Sequence, residues 1–192
     1  FMQQDGYMDK EQSLVSELKP SDLPLNQNWS WDRILRSCYI KQADVLQGLW
    51  FLNEEYSIDV KKRNFDFYEP RTVHESSLSP CIHSILAAEI GLKDKAHEFY
   101  LRTSRLDLDN YNNDTDDGLH ITSMAGTWMS IIHGFGGMRI KNGELYLAPF
   151  IPECWEEYSF HLVFRGRILK ITVNKQGTAV LLEKGDPLEI FL

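Results

Sequence analysis

The spacing of apolar residues changes once along this chain, near residue 137, and this change is the strongest constraint on its fold. Before that point apolar residues recur every three or four positions, as in the segment 39–57, which is the spacing of a buried helix face. After it the period falls toward two, as in the segment 159–173, which is typical of half-buried strands. The sequence therefore predicts an α+β chain, with residues 1–136 helical and 137–192 forming a small antiparallel β domain.

Five helices are predicted in series, each separated from the next by a polar connection. Their approximate ranges are 39–57, 57–70, 78–92, 93–108 and 121–135. Ser57 is the expected N-cap of the second helix, and Ser76 or Ser77 that of the third, because serine hydroxyls accept hydrogen bonds from free N–H groups there. Similar lengths and loop-like connections indicate helical hairpins packed in series. Residues 1–37 contain Gly6, Pro20 and Pro24 and are expected to form loops with one or two short helices.

Three turn signals punctuate the β part. They are Asn142-Gly143, Arg165-Gly166 and Gly185-Asp186-Pro187. Asn-Gly is the strongest short hairpin signal, because both positions of its turn need a positive φ. The sequence therefore predicts antiparallel strands joined at these three points.

Charge and hydropathy exclude several classes of partner. The net charge of −8 disfavours a nucleic-acid or anionic-membrane surface. The basic run Lys61-Lys62-Arg63 is interpreted as a solvated helix end. No stretch approaches the roughly 20 consecutive apolar residues that span a bilayer, so no membrane partner is expected.

The cysteines indicate the cellular compartment of the protein, and the first residue indicates whether the chain is a whole protein. Cys38, Cys81 and Cys154 are odd in number and widely spaced, with no CxxC pair. They are interpreted as buried thiols in a reducing cytoplasm. The chain begins at Phe1 with no start-like feature, and it is therefore expected to be the tail of a longer protein.

Polar side chains cluster where three helices begin. A helix N-terminus presents unpaired N–H groups and a partial positive charge, so it attracts oxyanions. Hydroxyls, imidazoles and amines at such positions predict a phosphate or sugar pocket, provided the fold brings them to one rim. The candidates are Lys41, Gln42, Thr72, His74, Ser76, Ser77, His120 and Ser123.

Simpler interpretations compete for several of these residues. Ser76 or Thr122 alone is more often a helix cap, and His120 alone more often a structural histidine. Lys41 is expected to be buried at a helix start, where a lysine needs an anionic partner. The acidic run 114–117 lacks the downstream Glu of a calcium loop and is interpreted as a solvated turn. Three tryptophans allow a sugar-stacking platform or ordinary core packing; they are Trp29, Trp31 and Trp50.

Four long strings resemble glycoside hydrolase family 65, which includes maltose, trehalose and kojibiose phosphorylases. They are IKQADVL, NFDFYEPRTVHESSLSPCIHSILAAEIG, YLRTSRLDLDNYNNDTDDGLHITSMAGTW and HGFGGMRIKNGELYLAPFIPECW. The resemblance covers nearly the whole chain, is closest over residues 39–155, and favours the maltose-cleaving members. It implies the last helical hairpins of an (α/α)₆ barrel followed by a small C-terminal β domain.

The resemblance also implies a reaction and its participants. Inorganic phosphate, the co-substrate, attacks the anomeric carbon of an α-glucoside with inversion, giving β-glucose 1-phosphate and a free sugar. No other cofactor and no metal is implied, and the full-length enzyme is expected to be a homodimer. The general acid of the family is a Glu upstream of the Lys-Gln pair, in a part that this sequence does not contain. A chain without it is expected to need the missing N-terminal part of the same enzyme and to be inactive alone.

Residue roles follow from the same resemblance. Lys41 and Gln42 match the substrate-binding pair of the family. The phosphate-side residues match six positions, which are Thr72, His74, Ser76, Ser77, His120 and Ser123. Two alternatives stay open: an inverting α-glucoside hydrolase of the same family, and a non-catalytic sugar- or phosphate-binding module.

Overall fold

Helices fill the chain up to residue 135 and strands fill the rest in the computed structural model, which describes residues 1–192. The expectation of a helical part followed by a small β part is confirmed. The α-helices are α1 (Leu25–Asn28), α2 (Trp31–Arg36), α3 (Asp44–Phe51), α4 (Ile58–Tyr68), α5 (Ser79–Glu89), α6 (Lys93–Ser104), α7 (Leu106–Asp109) and α8 (Ile121–Met129). Short 3₁₀ turns lie at Tyr7–Asp9, Val15–Glu17, Pro20–Asp22, Asn53–Glu55, Glu69–Arg71 and Thr115–Asp117.

Helix α5 forms the centre of the helical part. Its residues from Ser79 to Ala87 are all buried, and it packs against α3, α4, α6 and α8. Ser84 sits fully inside and donates a hydrogen bond from Oγ to the Ala96 carbonyl on α6, at 2.8 Å. That bond satisfies a buried hydroxyl, which would otherwise destabilise the core.

The first predicted helix is shorter than its apolar pattern indicated. Helix α3 covers only Asp44–Phe51, so Lys41 and Gln42 precede it rather than begin it. The following helix begins as predicted, since the Ser57 hydroxyl accepts a hydrogen bond from the Val60 N–H.

The interpretation of Lys61 as part of a solvated helix end is wrong. Lys61 is only 2 % exposed, and its Nζ donates to Glu89 Oε1 at 2.6 Å and to the Asn53 carbonyl at 3.0 Å. Arg139 donates to the other oxygen of Glu89 at 2.8 Å. The carboxylate compensates the buried ammonium group, whereas the neighbouring Lys62 and Arg63 are exposed.

The last predicted helix is continuous but changes its winding. Helix α8 runs into a π-helical turn over Ser130–Phe135. Gly126 on α8 lies so close to α5 that an added Cβ would stand 2.8 Å from Cys81 Cβ. A residue without a side chain is therefore required where these two helices touch.

Two three-stranded sheets form the C-terminal part. The strands are β1 (Arg139–Lys141), β2 (Glu144–Tyr146), β3 (Glu157–Phe164), β4 (Arg167–Asn174), β5 (Gly177–Lys184) and β6 (Ile190–Phe191). One sheet has the order β3-β4-β5 and is wholly antiparallel, and the other has the order β1-β2-β6.

Two of the three predicted turns join hairpin strands. Asn142-Gly143 connects β1 to β2 and Arg165-Gly166 connects β3 to β4, with a positive φ at all four residues. The third prediction, Gly185-Asp186-Pro187, is wrong as a hairpin. It leads instead into β6, which pairs in parallel with β2, and the β4–β5 hairpin turns at Lys175-Gln176.

One tyrosine fastens the antiparallel sheet to the end of the helical part. The Tyr158 hydroxyl donates to the carbonyls of Phe135, at 2.8 Å, and Phe150, at 3.0 Å. The Phe135 ring packs edge-on against Trp155 and Phe150 beside it. The helices and sheets therefore share one continuous apolar core.

All three cysteines are unpaired, but only two are buried. Cys38 and Cys81 lie in the core as expected, whereas Cys154 is exposed. Cys154 lies in the irregular segment before β3, which explains why no apolar period announced its environment. No helix of the chain combines the length and the apolar character that crossing a bilayer demands.

Candidate functional site

The Lys-Gln pair lies beside the polar loop that precedes α5. Ile40 forms a parallel bridge with Thr72, through hydrogen bonds from the Ile40 N–H to the Arg71 carbonyl and from the Val73 N–H to the Ile40 carbonyl, both 2.9 Å. Lys41 is exposed, so the expectation that it is buried is wrong, and Gln42 is half-buried. Because the Lys41 side chain is exposed, water solvates its ammonium group, which needs no anionic partner within the chain.

The Thr72 hydroxyl is used within the protein and is not free to bind a ligand. Its side chain is buried, and Oγ1 donates to the Tyr68 carbonyl at 2.8 Å. This bond caps a free carbonyl at the end of α4, where the last C=O groups of a helix lack partners. The Thr72 hydroxyl therefore shapes the loop in this structure.

His74 sits in the middle of the loop with a left-handed backbone, φ 55°. Its Nδ1 lies 3.0 Å from Ser79 Oγ, and its ring packs against the His83 and Phe99 rings, with centroid distances of 4.5 and 4.8 Å. Burial, together with the nearby His83 and Arg102, holds the pKa of the His74 imidazole well below its usual range. The ring is therefore neutral at neutral pH.

Glu75 is a buried residue for which the sequence predicted no role. Its carboxylate accepts hydrogen bonds from the backbone N–H groups of Leu25 and, at 3.2 Å, Asn26. These N–H groups begin the short helix α1, so the loop before α5 anchors the N-terminal segment of the chain. The signal that was available in the sequence was an acidic residue among small polar ones, which does not identify a partner 50 residues away.

Ser76 and Ser77 have separate roles at the front of the loop. Ser76 Oγ accepts from the Leu78 N–H at 3.2 Å, but the N-cap of α5 is Leu78, so neither serine is the predicted cap. Ser77 Oγ lies 3.2 Å from Thr122 Oγ1 at the start of α8. The hydroxyl pair joins two of the polar segments singled out in the sequence.

His120 is the N-cap residue of α8 and faces a group of acidic side chains. Its Nδ1 lies 2.5 Å from Asp107 Oδ1, and its Nε2 lies 3.5 Å from Asp114 Oδ2. The hydrogen bond to Asp107 raises the pKa of the His120 imidazole above its ordinary value. When it is protonated, the imidazole adds positive charge to the helix N-terminus, beside the carboxylates of Asp107 and Asp114.

Ser123 points into the protein. It is buried, and Oγ donates to the Thr103 carbonyl on α6 at 2.7 Å. Its hydroxyl fixes the position of α8 against α6, so in this structure it positions the start of α8 instead of presenting a free donor.

The polar segments adjoin one another. The cavities with volumes of about 570, 470, 360 and 350 Å³ are not lined by Lys41, His74 or His120. The predicted rim is therefore an open surface in this chain. It can offer the hydroxyls of Ser76 and Ser77, the imidazoles of His74 and His120, and Lys41 to an anionic or hydroxylated ligand.

The residues of the chain do not assemble a metal site. No group of three or more His, Cys, Asp or Glu side chains has the proximity needed to hold an ion. The acidic run 114–117 instead forms a 3₁₀ turn with Asp114 beside His120.

Of the predicted aromatic platform, Trp31 is exposed, while Trp29 packs under Arg33, whose guanidinium lies 3.4 Å from the ring centroid.

Family models match almost the whole chain. Residues 1–129 match the glycosyl hydrolase family 65 central catalytic domain, and residues 138–192 match the glycosyl hydrolase family 65 C-terminal domain. The passage from one match to the other falls where the helices give way to strands.

Curated relatives and a solved structure agree with this assignment. The maltose phosphorylase of Bacillus subtilis (strain 168) is 56 % identical over 190 residues, which are 99 % of this chain and 25 % of that protein. The α,α-trehalose phosphorylase of Thermoanaerobacter brockii is 42 % identical over 98 % of this chain and 24 % of its own length.

A solved structure described as a putative kojibiose phosphorylase from human microbiome has a TM-score of 0.93 and 42 % identity, and the match covers 100 % of this chain and 25 % of that one. The chain thus spans about a quarter of the length of the relatives it matches. With two family models and relatives of this identity along its whole length, the chain belongs to glycosyl hydrolase family 65.

Proposed function

We propose that this chain is the C-terminal part of an inverting α-glucoside phosphorylase, with maltose as the favoured disaccharide. The names of the most similar relatives support a phosphorylase, and the 56 % identity to a maltose phosphorylase supports maltose. We place the domain division near residues 136 and 137, with the helices completing an (α/α)₆ barrel. The parent enzyme is proposed to be a cytoplasmic homodimer.

The observation that carries the proposal is the contact between Ser77 and Thr122. It brings the start of α8, with His120, next to the loop that contains His74 and Ser76. Hydroxyls and imidazoles on two adjoining segments suit a tetrahedral oxyanion, and Lys41, next to the bridged Ile40, suits a sugar hydroxyl. The opposite wall of the pocket is assigned to the remainder of the parent enzyme.

The proposed reaction needs three participants. An oxygen of inorganic phosphate attacks the anomeric carbon from the face opposite the leaving group, and the glycosidic C–O bond breaks. A carboxylic acid donates its proton to the departing oxygen, so that β-glucose 1-phosphate and glucose are released. This chain supplies the phosphate and sugar contacts. The proton donor is assigned to the rest of the enzyme, and the chain alone is expected to be inactive.

The test is phosphate dependence in the parent enzyme. Maltose should be consumed only with inorganic phosphate present, and glucose 1-phosphate should appear in equal amount to glucose. His120→Ala should raise the KM for phosphate on the order of tenfold or more, since a charge-assisted hydrogen bond is lost. His161→Ala, on the exposed face of β3, is the matched control and should leave that KM unchanged.

Two results would favour the alternatives. Glucose formation without phosphate would indicate the hydrolase. Tight binding of maltose or phosphate to the 192-residue chain by calorimetry, without the remaining part, would indicate a binding module.

A further inference from the structure

Behind the loop before α5 lie two buried residues that the proposed reaction does not use directly. Ser79 and His83 on α5 are both fully buried, and both contact the His74 imidazole. A serine hydroxyl placed between two imidazoles must divide its hydrogen bonds between them. Which ring accepts the serine hydrogen depends on the distances and on which ring nitrogen already carries a proton.

The protonation pattern of His83 follows first. Its Nδ1 lies 3.0 Å from the Ser79 carbonyl oxygen, which can only accept, so Nδ1 carries the proton. Its Nε2 is buried without a partner. Burial lowers the pKa of His83 to about 4, so this ring stays neutral, with its proton on Nδ1.

The direction of the Ser79 hydrogen bond follows from this. Ser79 Oγ lies 3.0 Å from His74 Nδ1 and 3.5 Å from His83 Nδ1. Because His83 Nδ1 already bears a proton, it cannot accept one, and His74 Nδ1 is the acceptor within reach. The Ser79 hydroxyl therefore donates to His74 Nδ1, and a neutral His74 must keep its single proton on Nε2.

Hydrogen bonds on both sides of His74 hold its backbone in the left-handed conformation. A left-handed φ at a residue other than glycine costs about 1 kcal/mol and persists where the surroundings fix it. The neighbouring Val73 N–H is bonded to Ile40, and Arg102 donates to the His74 carbonyl at 3.4 Å. His74 Nε2 makes no hydrogen bond within the chain and, unlike His83 Nε2, is not sealed from solvent.

We propose that Ser79, oriented by His83, is a positioning residue that fixes His74 as the Nε2–H tautomer, so that the imidazole presents a neutral hydrogen-bond donor to a phosphate oxygen. The phosphate part of this inference rests on the proposed function; the tautomer part does not. A neutral donor keeps its hydrogen across the physiological pH range, whereas His120 on the adjoining segment, whose pKa is raised by its hydrogen bond to Asp107, loses a proton as the pH rises.

The experiment is histidine ¹⁵N–¹H correlation spectroscopy on the 192-residue chain, which distinguishes the two neutral tautomers. In the unaltered chain His74 should show the Nε2–H pattern. Ser79→Ala should reduce the ratio of the Nε2–H to the Nδ1–H form on the order of tenfold, and Ser79→Thr, which retains the hydroxyl, should restore it. Ser104→Ala removes an exposed hydroxyl from α6 and is the matched control.

The unaltered chain decides the question even if Ser79→Ala does not fold. An Nδ1–H pattern at His74, or the same tautomer ratio with and without the Ser79 hydroxyl, would overturn the inference. Titration of the parent enzyme, which contains both walls of the proposed pocket, with inorganic phosphate then separates it from the proposed function. Shifts at both His74 and His120 support the inference. Shifts at His120 alone would overturn the donor role of His74 and leave the proposed function standing, whereas no shift at either residue would contradict both.

Discussion

Arg139 donates a hydrogen bond to Glu89 at 2.8 Å and so joins the first strand of the β part to the last residue of α5. The other carboxylate oxygen of Glu89 accepts from Lys61 on α4. One carboxylate therefore links three elements that are far apart in the sequence. Its charge therefore adds an ionic link to the apolar contacts and the Tyr158 hydrogen bonds that join the helices to the sheets.

Replacing Glu89 should destabilise the whole chain. We expect Glu89→Gln to lower the free energy of unfolding by about 3 kcal/mol, because the buried Lys61 ammonium loses its anionic partner. Urea denaturation measures the change. Glu156→Gln breaks the exposed pair with Lys175 and should cost less than about 1 kcal/mol. Equal effects of the two substitutions would show that the junction pair contributes no more than a surface pair.

Two glycine substitutions should act in opposite directions. Gly126→Ala places a Cβ 2.8 Å from Cys81 Cβ and should destabilise the protein by about 1–3 kcal/mol through overpacking of α8 against α5. Gly48 lies inside α3, and a Cβ added there would meet no other atom within 4 Å. Gly48→Ala should therefore stabilise the protein by about 0.5–1 kcal/mol through helix propensity. Thermal unfolding checks both, and a neutral Gly126→Ala would show that the two helices can separate freely.

The pH dependence of stability should report the His120–Asp107 contact. The folded-state pKa of His120 is raised, chiefly by its hydrogen bond to Asp107, and Asp114 and Asp117 also face the ring. The protonated form is therefore favoured on folding. Its stabilising contribution is complete below the unfolded pKa of about 6.5 and is lost as the pH rises through the raised folded value.

Asp107→Asn should remove most of this contribution. The NMR titration midpoint of His120 should fall, and the loss of stability between mildly acidic and mildly alkaline pH should shrink. His83, whose pKa is about 4, is the internal control, because it should stay neutral across the same range. An unchanged His120 midpoint in the variant would show that Asp107 does not hold the imidazolium.

The exposed face of α8 should make the isolated chain self-associate. Ile121, Met124 and Trp128 follow one another at helical spacing, and all are exposed. Contiguous apolar surface of this kind drives association in water. Sedimentation velocity should show concentration-dependent dimers or larger species, and Ile121→Gln with Trp128→Gln should reduce them. Val163→Thr, on an exposed strand face, is the control; a monomer at every concentration would refute this expectation.

Local patterns identified most elements of the fold but not the environment of their charged residues. The period of apolar residues located α4, α5, α6 and α8, and the Asn142-Gly143 signal located a hairpin. Lys61 was misjudged because its burial is set by Glu89, 28 residues away. The short strand β6 has only two residues, too few to show any period, so its parallel pairing could not be foreseen.

The candidate site shows the same division. Runs of small polar residues before α5 and α8 were visible in the sequence, and the structure places Ser77 beside Thr122. The orientation of each hydroxyl was not visible, because it depends on which carbonyl lies nearby. Thr72 bonds to the Tyr68 carbonyl four residues earlier, whereas Ser123 bonds to the Thr103 carbonyl on α6, which only the fold brings within reach.

The bridge between Ile40 and Thr72 has a mechanical consequence. Two backbone hydrogen bonds tie the segment that carries Lys41 to the segment that leads to His74. A displacement of either segment therefore strains the bonds to the other. We expect a substitution that retunes sugar preference at position 41 or 42 to change the affinity for the anion as well, which would couple the selection of the two co-substrates.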